Sequence, residues 1–207
     1  MIDPKSLYST VRRGFDPLVD RLIRMGITAN MLTSAGILLN LGAAALIVMG
    51  YLFWAGIVLI VASLCDLLDG SVARRSNSVS AFGAFFDSTM DRISEGATLG
   101  ALAIFYVRVD YFPQLVATLV FLVASLLVSY TRARAEALDL DCRVGLMSRA
   151  ERLIILIVGL ILNRWHVLDV AVFGLAALTA YTVGERVVHV YRTVRSERAS
   201  AGTSPGS

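Results

Sequence analysis

The chain has 207 residues, a length typical of a single domain. Its hydrophobic content of 57% and mean hydropathy of +0.70 exceed the range of soluble domains and predict an integral membrane protein. The net charge of only +3 gives no indication of a nucleic-acid partner, and two isolated cysteines, Cys65 and Cys142, exclude a disulfide framework.

The amino-terminal segment, residues 1–26, is expected to form an amphipathic helix on the membrane surface. Asp3 and Pro4 are typical of a helix start, and apolar residues recur at helical spacing from Phe15 to Ile23 between basic ones. Such a helix lies among the lipid headgroups and does not cross the bilayer. A helix that packs on a soluble partner is the alternative, and the apolar chain that follows argues against it.

An all-α fold with six transmembrane helices is predicted for residues 27–194, and a disordered cytoplasmic tail for residues 195–207. Gly50 separates the first two spans, the polar segment 75–80 forms a turn, and Asn30 is a natural N-cap for the first span. The predicted spans are 31–49, 51–74, 81–107, 114–136, 149–163 and 167–191.

The basic residues are distributed unevenly about these six spans. Seventeen of the 19 fall on the side that carries both termini, and only Arg108 and Arg164 fall on the other. The positive-inside rule therefore predicts a multi-pass protein of the cell membrane with both termini in the cytoplasm.

Four aspartates lie on either side of the turn between spans two and three. Asp66 and Asp69 share one face of the second span, whereas Asp87 and Asp91 are one turn apart on the third. If these helices are antiparallel neighbours, the four carboxylates converge and repel one another unless a cation compensates them. The oxygen ligands favour Mg²⁺, or alternatively Mn²⁺, with room for two ions.

Small and basic residues accompany the aspartates. Gly70 and Gly83 allow close approach of a ligand or of the neighbouring helix, and Arg74 is suited to a phosphate oxygen. The end of span two and the start of span three, which carry these residues, lie on the predicted cytoplasmic side. Soluble phosphorylated substrates would therefore reach them.

The complete pattern, D-x-x-D-G-x-x-A-R followed after eight residues by G-x-x-x-D-x-x-x-D, is similar to that of the CDP-alcohol phosphotransferase family. The resemblance implies that Asp66, Asp69, Asp87 and Asp91 bind metal and that Asp91 is the general base. It also implies a homodimer and transfer of a phosphatidyl group from CDP-diacylglycerol. The CDP-binding residues that it implies are Asn30, Thr33, Asp69, Gly70, Ala73, Arg74 and Ser80.

A second group of residues is basic. Five arginines from spans four, five and six are expected at one level, and arginine forks match phosphate oxygens. Topology signals alone are the alternative explanation. The proposed acceptor-binding residues are Arg132, Arg134, Arg149, Arg152 and Arg186.

The runs R-A-R-A-E-A from Arg132 and R-x-E-R-L-I-I from Arg149 are similar to actinobacterial phosphatidylinositol phosphate synthases, as is D-R-I-S-E-G from Asp91. This resemblance implies inositol phosphate as the acceptor. Glycerol 3-phosphate or another polyol is the alternative within the same chemistry. A transporter or lipid-binding protein is a remote alternative, because transporters place ionisable residues near the membrane midplane and often contain repeats.

Overall fold

The computed structural model describes residues 16–142 and 144–201. Within these ranges the chain is almost entirely helical, and no strand occurs. The helices are α1 (Asp16–Arg24), α2 (Ala29–Met49), α3 (Leu52–Arg75), α4 (Ala81–Arg108), α5 (Phe112–Glu136), α6 (Arg149–Ile161) and α7 (Val167–Ala201), with a 3₁₀ turn at Asn163–Trp165 before α7. These bounds confirm the predicted helical segments to within a few residues, except at the end of α7.

Four of the helices, α2, α3, α5 and α7, are long and apolar enough to cross a membrane. The protein is therefore a multi-pass helical membrane protein by length and composition. The 28-residue α4 carries Asp87, Asp91, Arg92 and Glu95 within its first 15 residues. The 13-residue α6 is shorter than the roughly 20 residues that a span requires.

Helix ends follow local capping chemistry. The hydroxyl of Thr28 accepts a hydrogen bond from the backbone N–H of Met31 at 3.3 Å, so Thr28 is the N-cap of α2. The prediction that Asn30 has this role was wrong, because the helix begins at Ala29 and Asn30 is already inside its first turn. Gly50 ends α2 at a φ of 86°, a left-handed conformation that favours glycine, as its position between two spans predicted.

The first helix packs against the polar end of α3. Val19 is buried against Leu68 and Val72 of α3, and Arg75 pairs with Asp16 at 3.0 Å and with Asp20 at 2.7 Å. Only residues 16–26 of the predicted amphipathic segment are described, and Asp16–Arg24 of them form the helix. Asp3, Pro4 and Phe15 lie outside the described residues, as do Lys5, Arg12 and Arg13.

The carboxyl-terminal segment differs from its prediction. Composition predicts disorder from residue 195, but α7 continues to Ala201, and residues 202–207 lie outside the described residues. A helix that starts in an apolar core can extend into a polar segment because each added residue gains a backbone hydrogen bond without a new nucleation step.

The end of the molecule that carries the four motif aspartates is surrounded by α2, α3, α4 and α6. α2 packs on α3 and α4, whereas α6 packs on α3 and α7. Gly56 allows the close approach of α6 to α3, because a Cβ atom at Gly56 would lie 2.7 Å from Cγ1 of Ile161. The polar ends of α3, α4 and α6 therefore face a common space.

Candidate active site

Three carboxylates converge at the polar ends of α3 and α4. One oxygen each from Asp66, Asp69 and Asp87 lies within 4.8 Å of the other two. Asp66 and Asp69 are one turn apart on α3, and the short turn before Ser80 returns the chain so that Asp87 of α4 faces them. Three negative charges at this spacing repel one another, so the arrangement favours a bound divalent cation with oxygen ligands.

Asp69 is the most enclosed of these carboxylates, with 5% of its surface exposed. The hydroxyl of Thr33 on α2 lies 2.7 Å from Oδ2 of Asp69 and 3.1 Å from the backbone oxygen of Ala29. A hydroxyl that donates to a carboxylate restricts its rotation and leaves the second oxygen available to a ligand. Thr33, predicted to contact the nucleotide, thus orients one of the three clustered carboxylates.

The fourth aspartate of the motif has a different partner. Oδ1 of Asp91 lies 2.8 Å from Nη1 of Arg149, and the same nitrogen lies 3.5 Å from Oδ2 of Asp66. Asp91 is not part of the three-carboxylate cluster among the residues described. Arg149 therefore joins the first acidic residue of the motif to the last across α3, α4 and α6.

Two cavities of several hundred cubic ångströms meet at the carboxylates. The first has a volume of about 300 Å³ and lies between the start of α2, the end of α3 and the start of α4. All seven residues predicted to bind CDP line it: Asn30, Thr33, Asp69, Gly70, Ala73, Arg74 and Ser80. The guanidinium of Arg74 lies over Gly70, where a Cβ atom would be 3.3 Å from both Nη atoms. Glycine therefore leaves room for this cation beside Asp69.

The second cavity is a groove of about 690 Å³ between α3 and α6. Its polar end contains Asp66, Asp69, Asp87, Asp91 and Arg149, and its other end is apolar, with Ile60, Leu64, Ile154, Ile157 and Val158. The groove shares Asp69, Gly70, Arg74 and Asp87 with the first cavity. The carboxylates therefore lie at the junction of a polar cavity and an apolar groove.

The five predicted acceptor-binding arginines are only partly brought together. Arg149 lines the groove, and Arg149 and Arg152 line a smaller inner cavity of about 30 Å³. Arg186 is buried and donates from Nε to the backbone oxygen of Val144 at 3.0 Å and from Nη1 to that of Val128. Arg132 pairs with Glu136 at 2.8 Å, and Arg134 is exposed on α5. Neither of these two lines the groove.

A buried polar layer beneath the carboxylates was not predicted. Oε1 of Glu95 accepts hydrogen bonds from Nε and Nη2 of Arg152 at 3.2 and 2.9 Å, and Thr98 donates to the side-chain oxygen of Asn40 at 2.8 Å. Glu95 follows Asp91 by four residues, so it lies on the same face of α4. That spacing, and the polar Asn40 within an apolar span, were the signals available in the sequence.

Residues 26–184 match the family model described as CDP-alcohol phosphatidyltransferase, a range that covers most of the chain and the whole site. The chain belongs to this family. Its relatives include the archaetidylinositol phosphate synthase of Methanothermobacter thermautotrophicus, 36% identical over 89% of this chain and 92% of the relative. The phosphatidylinositol phosphate synthase of Corynebacterium glutamicum is 40% identical over 84% of this chain and 82% of the relative.

Solved structures of the Mycobacterium tuberculosis phosphatidylinositol phosphate synthase are similar in fold. The form with CDP-diacylglycerol bound has a TM-score of 0.79 at 34% identity and covers 84% of this chain and 92% of that one. The form in complex with manganese and citrate has the same TM-score and identity, over 84% and 88% of the two chains. Manganese in that relative and the three carboxylates here together support a divalent metal site in this family member.

Proposed function

We propose that this membrane protein transfers a phosphatidyl group from CDP-diacylglycerol to a hydroxyl of inositol phosphate and releases CMP. The observation that carries the proposal is the position of the carboxylates at the junction of a polar cavity and an apolar groove. A CDP-linked lipid has the same division into a polar nucleotide and apolar chains. Its diphosphate would therefore lie beside the metal-binding side chains.

The donor would occupy both cavities. The polar cavity would hold the cytidine and its phosphates, with Asn30, Ala73 and Ser80 in its wall and Arg74 beside the diphosphate. The groove between α3 and α6 would hold the start of the acyl chains against Leu64, Ile154 and similar side chains. This placement directs the reactive phosphorus towards Asp69 and Asp87.

Asp66, Asp69 and Asp87 would hold the metal, with Asp91 as a further ligand, and we propose two Mg²⁺ ions that Mn²⁺ can replace. A bound divalent cation would neutralise charge on the diphosphate and on the departing CMP. Thr33 keeps Asp69 oriented, and Asp91 accepts the proton of the acceptor hydroxyl. The hydroxyl oxygen forms the new bond to the lipid-linked phosphorus as the bond to CMP breaks.

The acceptor would approach from the side of α6. Arg149 pairs with Asp91 and lines the inner cavity together with Arg152, and the buried Arg186 adds a further cation from α7. Such a group of cations fits a phosphorylated polyol better than free inositol or serine. Glycerol 3-phosphate remains the alternative acceptor, because it offers the same phosphate.

The membrane arrangement is also part of the proposal. We infer six crossings in which α4 and α6 are inserted with the four apolar helices, and an α1 that lies at the cytoplasmic surface of the cell membrane. The uneven distribution of basic residues supports a site and termini on the cytoplasmic side, with Arg108 and Arg164 opposite. We further propose a homodimer.

The test uses purified protein in lipid nanodiscs with labelled CDP-diacylglycerol and Mg²⁺. Inositol phosphate, glycerol 3-phosphate, inositol and serine are offered in turn, and CMP and the lipid product are measured. The archaetidyl donor is included because one relative is an archaetidylinositol phosphate synthase. Preferential turnover of inositol phosphate supports the proposal, whereas turnover with glycerol 3-phosphate alone selects the alternative acceptor. No CMP release with any acceptor contradicts both.

A further inference from the structure

The buried pair of Glu95 on α4 and Arg152 on α6 lies outside the family motif, yet it is one helical turn from Asp91. Arg152 is 2% exposed, and Glu95 is largely buried beside it. A buried guanidinium remains charged. Its burial is tolerated only when a carboxylate and hydrogen bonds compensate the charge. Glu95 supplies that compensation.

The pairing with Glu95 leaves one nitrogen of the Arg152 guanidinium without a hydrogen-bond partner among the residues described. Glu95 uses a single oxygen to accept from Nε and Nη2, whereas Nη1 is buried and has no hydrogen-bond partner among the residues described. An unpaired buried donor on a charged group is costly, and such groups in proteins are usually satisfied by water or a ligand. Arg152 lines the inner cavity of about 30 Å³ together with Arg149, Asn40 and Thr98. A polar cavity of that volume is large enough for a water molecule.

The two arginines of α6 are matched by two acids of α4. Arg149 and Arg152 are three residues apart on one face of α6, and Asp91 and Glu95 are four apart on one face of α4. Without Glu95, the nearest carboxylate of α4 available to Arg152 would be Asp91, which is already paired with Arg149. Glu95 therefore separates Arg152 from the residue that accepts the proton.

We propose that Glu95 is a positioning residue that holds Arg152 away from Asp91 and presents Nη1 of Arg152 to the acceptor's phosphate. This inference rests on the proposed function only in taking the acceptor to be phosphorylated. It predicts that Glu95 affects acceptor binding through Arg152 and leaves donor binding unchanged.

The experiment compares Glu95→Gln and Glu95→Asp with the parent protein. Glu95→Asp retains the charge that folding requires but is shorter by one methylene, so it draws Arg152 away from the cavity. Both variants are expected to raise the acceptor KM on the order of 10-fold to 100-fold and to leave the KM for CDP-diacylglycerol unchanged. The double variant Glu95→Gln with Arg152→Gln should lose no more acceptor affinity than Arg152→Gln alone.

Tyr106→Phe is the matched control. It removes a buried hydrogen bond from the same helix, the 3.1 Å contact of the Tyr106 hydroxyl with Asp169, at the end far from the carboxylates. It should leave both KM values unchanged. Equal changes in donor and acceptor KM in the Glu95 variants, or no change in Glu95→Asp while Glu95→Gln fails to fold, would overturn the inference and reduce Glu95 to a structural role.

A second measurement separates this inference from the proposed function. Binding of inorganic phosphate is followed by the shift of the unfolding temperature in the parent and in both Glu95 variants. If the parent turns over no acceptor but binds phosphate more tightly than the variants, the proposed function fails and the role of Glu95 stands. If the parent does not bind phosphate, or binds it no better than the variants, the role of Glu95 is refuted.

Discussion

Replacing Thr33 by valine is expected to weaken metal binding without disturbing the fold. The two side chains have nearly the same shape, so the substitution removes only the hydroxyl that lies 2.7 Å from Oδ2 of Asp69 and 3.1 Å from the oxygen of Ala29. A hydrogen bond to a charged group contributes about 1.5 to 3 kcal/mol. Loss of a partner that orients a metal ligand usually costs about 10-fold to 100-fold in metal affinity or activity.

The assay titrates Mn²⁺ into the protein and measures binding by electron paramagnetic resonance, independently of turnover. The Mg²⁺ concentration for half-maximal CMP release is measured in parallel. Both constants should rise about 10-fold to 100-fold in Thr33→Val. Thr118→Val is the matched control, because the hydroxyl of Thr118 is buried and donates only to the backbone oxygen of Gln114 at 2.8 Å in its own helix.

Two results would refute this reasoning. Unchanged Mn²⁺ binding in Thr33→Val would show that the hydroxyl does not orient Asp69. A higher KM for CDP-diacylglycerol at unchanged metal affinity would instead support the direct nucleotide contact that the family resemblance implied for Thr33.

Three further changes test other parts of the site and fold. Asp91→Asn should retain CDP-diacylglycerol binding, because asparagine can still accept a hydrogen bond from Arg149. It should lower turnover by about 10²-fold to 10⁴-fold, and normal CMP release would show that Asp91 is not the base. Ser148→Ala breaks the capping box of α6 and should lower the free energy of unfolding by about 1 kcal/mol. The measurement is thermal unfolding in detergent, and an unchanged unfolding temperature would contradict the capping role. Gly56→Val should lower the unfolding temperature by more than Ser148→Ala does, because the Cβ atom of the new valine would lie 2.7 Å from Cγ1 of Ile161. An unfolding temperature equal to that of the parent protein would mean that α6 can move away from α3.

The helices and the placement of the aspartates on helix faces were predictable because both depend on local periodicity. Runs of apolar residues predicted the helical segments, and the i, i+3 and i+4 spacing of aspartates predicted which side chains share a face. The structure confirms the neighbourhood of Asp66, Asp69 and Asp87. Composition alone does not assign α4 and α6 as membrane crossings, because α4 carries several charged residues and α6 has only 13 residues.

The partners of individual charges were not predictable. Five arginines were expected to act as one cluster, but the structure gives each a different environment. Arg149 is paired with Asp91, Arg152 is buried against Glu95, and Arg186 is held by backbone oxygens. These differences depend on the rotation and separation of helices that are distant in sequence.

The amino-acid sequence by itself determined the helical segments and which carboxylates share a helix face, because hydrophobic period and residue spacing act within one helix or one turn. Tertiary structure alone decided that Thr33 orients Asp69, that Arg149 pairs with Asp91 and that Glu95 pairs with Arg152. Each of these contacts joins two helices whose distance is set by packing, such as the approach of α6 to α3 at Gly56. The energy of an ion pair or hydrogen bond depends on separations of a few tenths of an ångström, and no local pattern specifies these.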